Sequence, residues 1–438
     1  MINSRVLKII FLLINLSIEI VQSLIPVERQ AASSVFIDKK IYFLGGTSSH
    51  SPKTSSELDQ ILYLDVSQSF YTTNPPFEEI PDVQIPFGSS FATAFLSPQK
   101  NIVYLFGGIM KNVNTDLDSF TSILHAFNLE TNEWTIPTTN GIVPQRKREI
   151  NGVIDDKTGK FYVFGGVADQ EIGSKTIVVF NDLNILDTNS LTWSKGSTIN
   201  APLPRSDYTA TLLPNGIIVF IGGLEGNDFH DVDINQLALY DTTIDKWSIM
   251  TARGVTLDNR NAHSAVLTPD ERIIIFGGSK GINSTVTNQL AVLDTKQTPY
   301  EWSIPQVSNV YYAPPLIDLH SATLIGNYMF INFGAMYQAQ DPTMQLPFFY
   351  ILDINNFTWV TKFEPEQPSV VVTNTPTIAA TANTSSNNNS SNLTAEQIGI
   401  IFGAVGLSIV IIVVAGLLGY KYYKNQKYKR AIPTAGGI

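Results

Sequence analysis

The chain has 438 residues, 15% of them charged and 11% aromatic, with a formal net charge of −10 and no cysteine. The missing cysteines exclude disulfides, thiolate zinc sites and cysteine nucleophiles together. Taking the seven basic and one acidic residues of the two chain ends from totals of 28 and 38 leaves 21 and 37, a body charge of −16, which speaks against nucleic acid as a partner.

At the N-terminus, Arg5 and Lys8 lead into an apolar run from Val6 to Val21, and Val21-Gln22-Ser23 offers compact residues at a cleavage site. That is the pattern of a signal peptide over residues 1–23. A body without disulfides must then rest on a large apolar core, which a chain of this length can bury.

From residue 24 to 365 the sequence repeats six times. Apolar runs end in a small pair: Leu44-Gly45-Gly46, Phe106-Gly107-Gly108, Phe164-Gly165-Gly166, Ile221-Gly222-Gly223, Phe276-Gly277-Gly278 and Phe333-Gly334-Ala335. A second strand follows each, as in Leu183 to Asp187, and then an aromatic: Phe70, Trp134, Trp193, Trp247, Trp302 or Trp359. All five tryptophans hold this one position. Runs of β-branched and aromatic residues bounded by glycine read as buried strands. An opening strand precedes each pair, as in Arg260-Asn261-Ala262-His263-Ser264-Ala265.

These features together resemble kelch repeats, whose period is roughly 50 residues. The resemblance implies an all-β fold, a six-bladed β-propeller with four strands per blade. The tryptophans are expected to be buried between blades. Phe70 replaces Trp in blade one, and Gly334-Ala335 replaces Gly-Gly in blade six. The segment Arg29 to Ile37 is expected to supply the inner strand of blade one itself.

Propellers bind ligands at one mouth of the ring. Arg29, Arg148, Arg205 and Arg260 open inner strands, with Ser89 and Ile317 in the matching places, and are expected to face that mouth as a positive patch on an acidic body. The resemblance implies arginines that grip acidic partners. The other reading has them capping backbone carbonyls between blades. Glu149 and Asp207 are near enough in sequence to neutralise them. His263 and His320, with Tyr208 equivalent, sit three positions later and read as scaffold or mouth ligands. His230 lies among Asp228, Asp231 and Asp233, but no glycine turn or terminal glutamate follows at calcium-loop spacing, so no metal is expected. The long loops Thr47 to Gln60, Ile109 to Ser122 and Gly334 to Pro347 are further candidates.

Residues 366–397 are rich in Ser, Thr, Asn and Pro and read as an unfolded stalk. Sequons stand at Asn383, Asn388, Asn389 and Asn392, and in the repeat region at Asn283 and Asn356. Residues 398–420 carry no charge and, at about 1.5 Å per residue, reach roughly 34 Å, enough to span a bilayer. The basic tail 421–438, opening with Lys421, Lys424, Lys427, Lys429 and Arg430, is expected in the cytosol. This predicts a single-pass type I protein of the plasma membrane or secretory pathway, with the propeller on the non-cytoplasmic side. Gly399 and Gly403 could support weak homodimerisation.

The expected function is a non-enzymatic module that binds a protein or glycan, with no cofactor. A tethered carbohydrate-active enzyme resembling the kelch sugar mutarotases is the alternative. A copper oxidase is excluded, because its crosslinked tyrosine needs cysteine.

Overall fold

The computed structural model describes residues 24–118, 120–281, 284–336 and 349–365. Six four-stranded antiparallel sheets follow one another along the chain. Blade one comprises Ser33–Ile37, Lys40–Leu44, Gln60–Asp65 and Phe77–Gln84; blade two comprises Thr93–Leu96, Ile102–Phe106, Leu124–Asn128 and Glu133–Thr135. Blade three comprises Gly152–Asp155, Lys160–Phe164, Leu183–Asp187 and Thr192–Lys195; blade four comprises Thr209–Leu212, Ile217–Ile221, Gln236–Asp241 and Lys246–Thr251. Blade five comprises Ser264–Leu267, Arg272–Phe276, Leu290–Asp294 and Glu301–Ser303; blade six comprises Ser321–Ile325, Tyr328–Asn332, Phe349–Asp353 and Thr358–Val360. Each first strand touches the first strand of the next blade, and blade six touches blade one. The ring is therefore closed, as in a six-bladed propeller. The first strands of blades one to five border a cavity of about 400 Å³, lined by Ala94, Ala210 and Ala265 together with larger residues such as Phe36 and Leu212.

A blade is apolar on both faces, so its stability comes from its neighbours. Six apolar clusters fill the six seams, each drawn from two consecutive blades. Trp193, Trp247, Trp302 and Trp359 are buried in the seam with the preceding blade. Trp134 departs from the expectation and is half-buried. The chain entering blades three and five covers the tryptophan strand with a short parallel strand, Asn140–Gly141 or Arg253–Gly254. Among the described residues no such strand covers Glu133–Thr135, nor Lys246–Thr251, which carries the buried Trp247.

Blade one also corrects the sequence reading. Phe77, not Phe70, takes the tryptophan position: Leu64 pairs with Phe77 as Leu186 pairs with Trp193. Phe77 packs against Phe43, Phe333 and Phe349 at 6.1, 5.9 and 5.8 Å. Phe70 instead belongs to a latch, Phe70–Tyr71, that pairs antiparallel with Lys362–Phe363 at the end of the repeats. Every blade is contiguous in sequence, and Ser33–Ile37 supplies the first strand of blade one as expected. The latch and the aromatic seam close the ring without strand exchange.

Two rings of backbone hydrogen bonds tie the blades together. In the first, Ala31, Phe91, Glu149, Asp207, Ala262 and Leu319 each donate to the carbonyl of the equivalent residue in the preceding blade, at 2.8–3.2 Å. All six have positive φ, between 51° and 58°, the conformation that turns the chain from the mouth into the first strand. In the second, the second residue of each small pair donates to the next blade: Gly46 to Ser89, Gly108 to Lys147, Gly166 to Arg205, Gly223 to Arg260, Gly278 to Ile317 and Gly334 to Arg29. A Cβ on Gly165 would lie 2.2 Å from the Arg205 carbonyl, so glycine is required there. By this register the pair in blade six is Phe333-Gly334, not Gly334-Ala335. Phe333 holds the left-handed φ of 58° and meets Phe43 edge-on at 5.0 Å.

Among the described residues no helix is long and apolar enough to cross a membrane. The segments 1–23 and 366–438, with their sequons, and Asn283 lie outside the described residues. Asn356 is exposed beside the turn between the last two strands of blade six.

Candidate ligand-binding mouth

The loops after each small pair rise from the same end of the ring as the first ring of hydrogen bonds, and together they form one mouth. Blade alternation dictates this: first strands run away from that end and second strands return to it.

The arginines divide. Arg29 is buried; Nη1 donates to the Gly45 carbonyl at 2.9 Å and Nη2 to the Gln60 amide oxygen at 2.9 Å, with the Phe333 ring 5.3 Å away. Arg260 is fully buried and donates to the carbonyls of Gly277, Gln289 and Asn288 at 3.2, 3.1 and 2.8 Å. Burial draws both guanidinium groups down to about 10. They clamp the two loop ends of their own blades. Arg205 is buried too, but Nε and Nη1 meet no hydrogen-bond partner among the described residues. Its acid is Glu225, 3.6 Å from Nη2.

Arg148 is not the fourth member of this set. The second ring of hydrogen bonds places Lys147 there, buried against Asp182 and 4.5 Å from the Phe180 ring. Desolvation lowers the Lys147 ammonium, while Asp182 opposes the shift. Arg148 stands one residue along and turns into the mouth. It pairs with Glu149, and its Nε reaches Asp169 at 3.1 Å. The run Arg146-Lys147-Arg148 hid the register in the sequence. Counting back three from the buried residue of the opening strand, as from Tyr208 to Arg205, leads from Ile150 to Lys147.

The neck therefore carries no patch of four converging arginines. Two clamp carbonyls, and acids stand beside the others. Asp207 belongs to the first hydrogen-bonded ring. It keeps some contact with solvent yet is enclosed by protein, and its carboxyl is pushed up to about 7. Burial is the main cause, Asp318 adds to it and Arg148 opposes it. Sequence reasoning missed Asp318, which follows Ile317 in a blade without the arginine.

The histidines are scaffold by geometry. His263 Nε2 lies 3.0 Å from Thr209 Oγ1 and His320 Nε2 lies 2.7 Å from Ser264 Oγ, each reaching the preceding blade. Burial holds both neutral: His320 falls to about 3, and His263 falls well below its ordinary value, with Arg260 contributing. Tyr208 donates in the same way to the Phe164 carbonyl. His230 is half-exposed, 3.1 Å from both Glu225 and Asp228. Among the described residues no group of three or more His, Asp or Glu converges as a metal site.

The loops of blades one to three are tied into a wall. Ser55 donates to the Val113 carbonyl at 3.1 Å. Arg146 donates to the carbonyls of Phe120 and Ile172, both at 2.7 Å, and pairs with Asp118. Ile109, Ala168 and Ile172 form a small apolar core beneath. The blade-six loop, 337–348, lies outside the described residues.

Comparison with known sequences agrees with this architecture. The family described as the KLHDC2/KLHL20/DRC7 Kelch-repeats domain matches residues 92–334 and 226–386. The chain belongs to the kelch-repeat proteins. Kelch domain-containing protein 3 of Bos taurus is 27% identical over 258 residues, covering 56% of this chain and 63% of that protein. Host cell factor 1 of Rattus norvegicus is 29% identical over 255 residues, covering 54% of this chain and 11% of that protein. The chain thus spans less than two thirds of the length of these curated relatives.

Proposed function

We propose that this kelch propeller is a non-enzymatic protein-binding module whose mouth takes an anionic group of its partner at Arg205. The observation behind this reading is the contrast within one repeat position. Arg29 has all three nitrogens on oxygen acceptors and Arg260 lacks a partner only at Nε, whereas Arg205 is buried with both Nε and Nη1 unmatched. A buried guanidinium is costly unless an anion completes it. Arg148, beside Asp169 and Asp207, adds a mixed-charge rim that selects orientation more than strength.

The expected results differ by residue. Binding of a fluorescent hexaglutamate peptide at about 0.15 M salt, where the acidic body is screened beyond roughly 8 Å, should weaken about tenfold or more in Arg205→Ala, with little change in melting. Arg260→Ala should do the reverse, costing about 3 kcal/mol of stability by orphaning the Gly277 and Asn288 carbonyls, while Gln289 keeps the Gly277 N–H. Equal binding by wild type and Arg205→Ala would remove Arg205 from the site.

The apolar run 398–420 and the basic tail after it support a membrane-anchored version of this module, with the propeller on the non-cytoplasmic face. Protease added to sealed vesicles of that orientation should leave a short C-terminal fragment protected. Protection of the propeller would reverse the topology.

A further inference from the structure

The short strand at Arg205 belongs to a three-stranded sheet. Arg205–Ser206 pairs with Leu224–Glu225, which pairs with His230–Asp231. The register sets Arg205 opposite Glu225 and Glu225 opposite His230. Directly opposed side chains on neighbouring strands interact, so one carboxylate stands between a guanidinium and an imidazole. Glu225 Oε2 lies 3.6 Å from Arg205 Nη2, longer than a good hydrogen bond, while its Oε1 lies 3.1 Å from His230 Nε2. Arg205 is left with Nε and Nη1 unmatched and 5% of its side chain exposed; the His230 side chain is 52% exposed.

We propose that His230 gates the anion site at Arg205. With the imidazolium present, Glu225 is held at the rim and a carboxylate of the partner takes its place against Arg205 Nη2. With the imidazole neutral, Glu225 loses its counter-charge, closes on Arg205 and competes with the partner. The inference rests on the mouth reading above and adds its regulation.

The neighbourhood supports a two-position carboxylate. Arg205 is faced by Glu225 and by Tyr208, whose hydroxyl is held by the Phe164 carbonyl. His230 is faced by Asp228 and Glu225. Asp231 is engaged elsewhere, accepting from Asn261 Nδ2 at 2.9 Å and from the Gly281 amide at 2.6 Å. Asp182 is held by Lys147 and Lys195. The His230 imidazole is raised above its ordinary value, by its hydrogen bond to Asp228 first and that to Glu225 next. The open form therefore belongs to mildly acidic pH and the closed form to mildly alkaline pH.

The test is binding of the same hexaglutamate peptide to the full chain at pH 6 and pH 8. Wild type should bind about five- to tenfold tighter at pH 6, the scale of one charge-assisted hydrogen bond. In His230→Gln the ratio should fall to about one at the weaker level. In Glu225→Gln binding should be tight at both pH values. Asp207, raised to about 7, also titrates in this range. Its effect would survive in His230→Gln, so a ratio retained there overturns the gate. Loss of binding at both pH values in Arg205→Ala, with no pH ratio in wild type, overturns the gate while leaving the mouth reading intact. Unchanged binding in Arg205→Ala overturns the mouth reading itself.

Discussion

Trp247→Ala is expected to lower the unfolding free energy by about 3–5 kcal/mol, the range for large buried aromatics. The indole is 1% exposed and sits among Tyr240, Phe164 and Phe220, with ring centroids 5.0, 5.1 and 5.2 Å away. Its N–H donates to the Ser197 carbonyl at 2.8 Å, which pins the chain entering blade four to that blade's outer edge. Truncation removes the apolar burial, the aromatic pairs and that tie at once. The seam cannot collapse easily, because Phe164 belongs to blade three and Phe220 to blade four, and both blades are fixed by the two rings of backbone hydrogen bonds.

The half-buried Trp134 supplies the comparison. It touches Phe127 at 5.2 Å and is only partly buried against the seam between blades one and two. Trp134→Ala should cost about half as much, since the hydrophobic contribution scales with the area removed from water. Denaturant midpoints at constant m-value measure both. Equal costs would mean that the six seams are packed alike, against the difference seen between blades two and four.

The contrast between these tryptophans shows what the sequence carries. Strand runs, glycine pairs and tryptophan spacing are local patterns, and they were sufficient for the architecture. Phe77 was missed because its strand begins twelve residues after the Asp65 end of Gln60–Asp65, whereas Phe70 stands near the expected distance; only pairing with Leu64 identifies it. The pair Phe333-Gly334 was misread because glycine is expected where φ is positive, and here packing against Phe43 and Phe77 holds an aromatic in that conformation. The mouth was the least legible part. Arg29, Arg205 and Arg260 share a repeat position, yet their partners come from loops of different length and composition. Which arginine keeps free donors is decided by Glu225, Asn288 and Gln60, residues that no periodicity marks.

Asp207→Asn is expected to stabilise the propeller at pH 8 and to leave it unchanged near pH 4. The folded-state carboxyl is raised from 3.8 to about 7, by burial first and by Asp318 next, against the pull of Arg148. Below about pH 4 the acid is protonated whether the chain is folded or not, and nothing is lost. Between that value and pH 7 the unfolded chain releases the proton while the folded chain keeps it, so stability falls as pH rises. Above pH 7 the cost is complete, at most about 4 kcal/mol for a shift of roughly three units. The carboxyl's partial contact with solvent reduces it, and a gain of about 2 kcal/mol in the amide variant is the working expectation. Asparagine suits the test because it tolerates the left-handed φ of 52° at this position. The backbone bonds from Asp207 to Glu149 and from Ala262 to Asp207 need no side chain. Asp318→Asn should recover part of the same gain by removing the facing charge. Melting temperatures of the three proteins from pH 4 to pH 8 decide the matter. An Asp207→Asn protein no more stable than wild type at pH 8 would mean that the carboxylate is fully compensated by Arg148, and that the neck of this mouth carries no electrostatic strain.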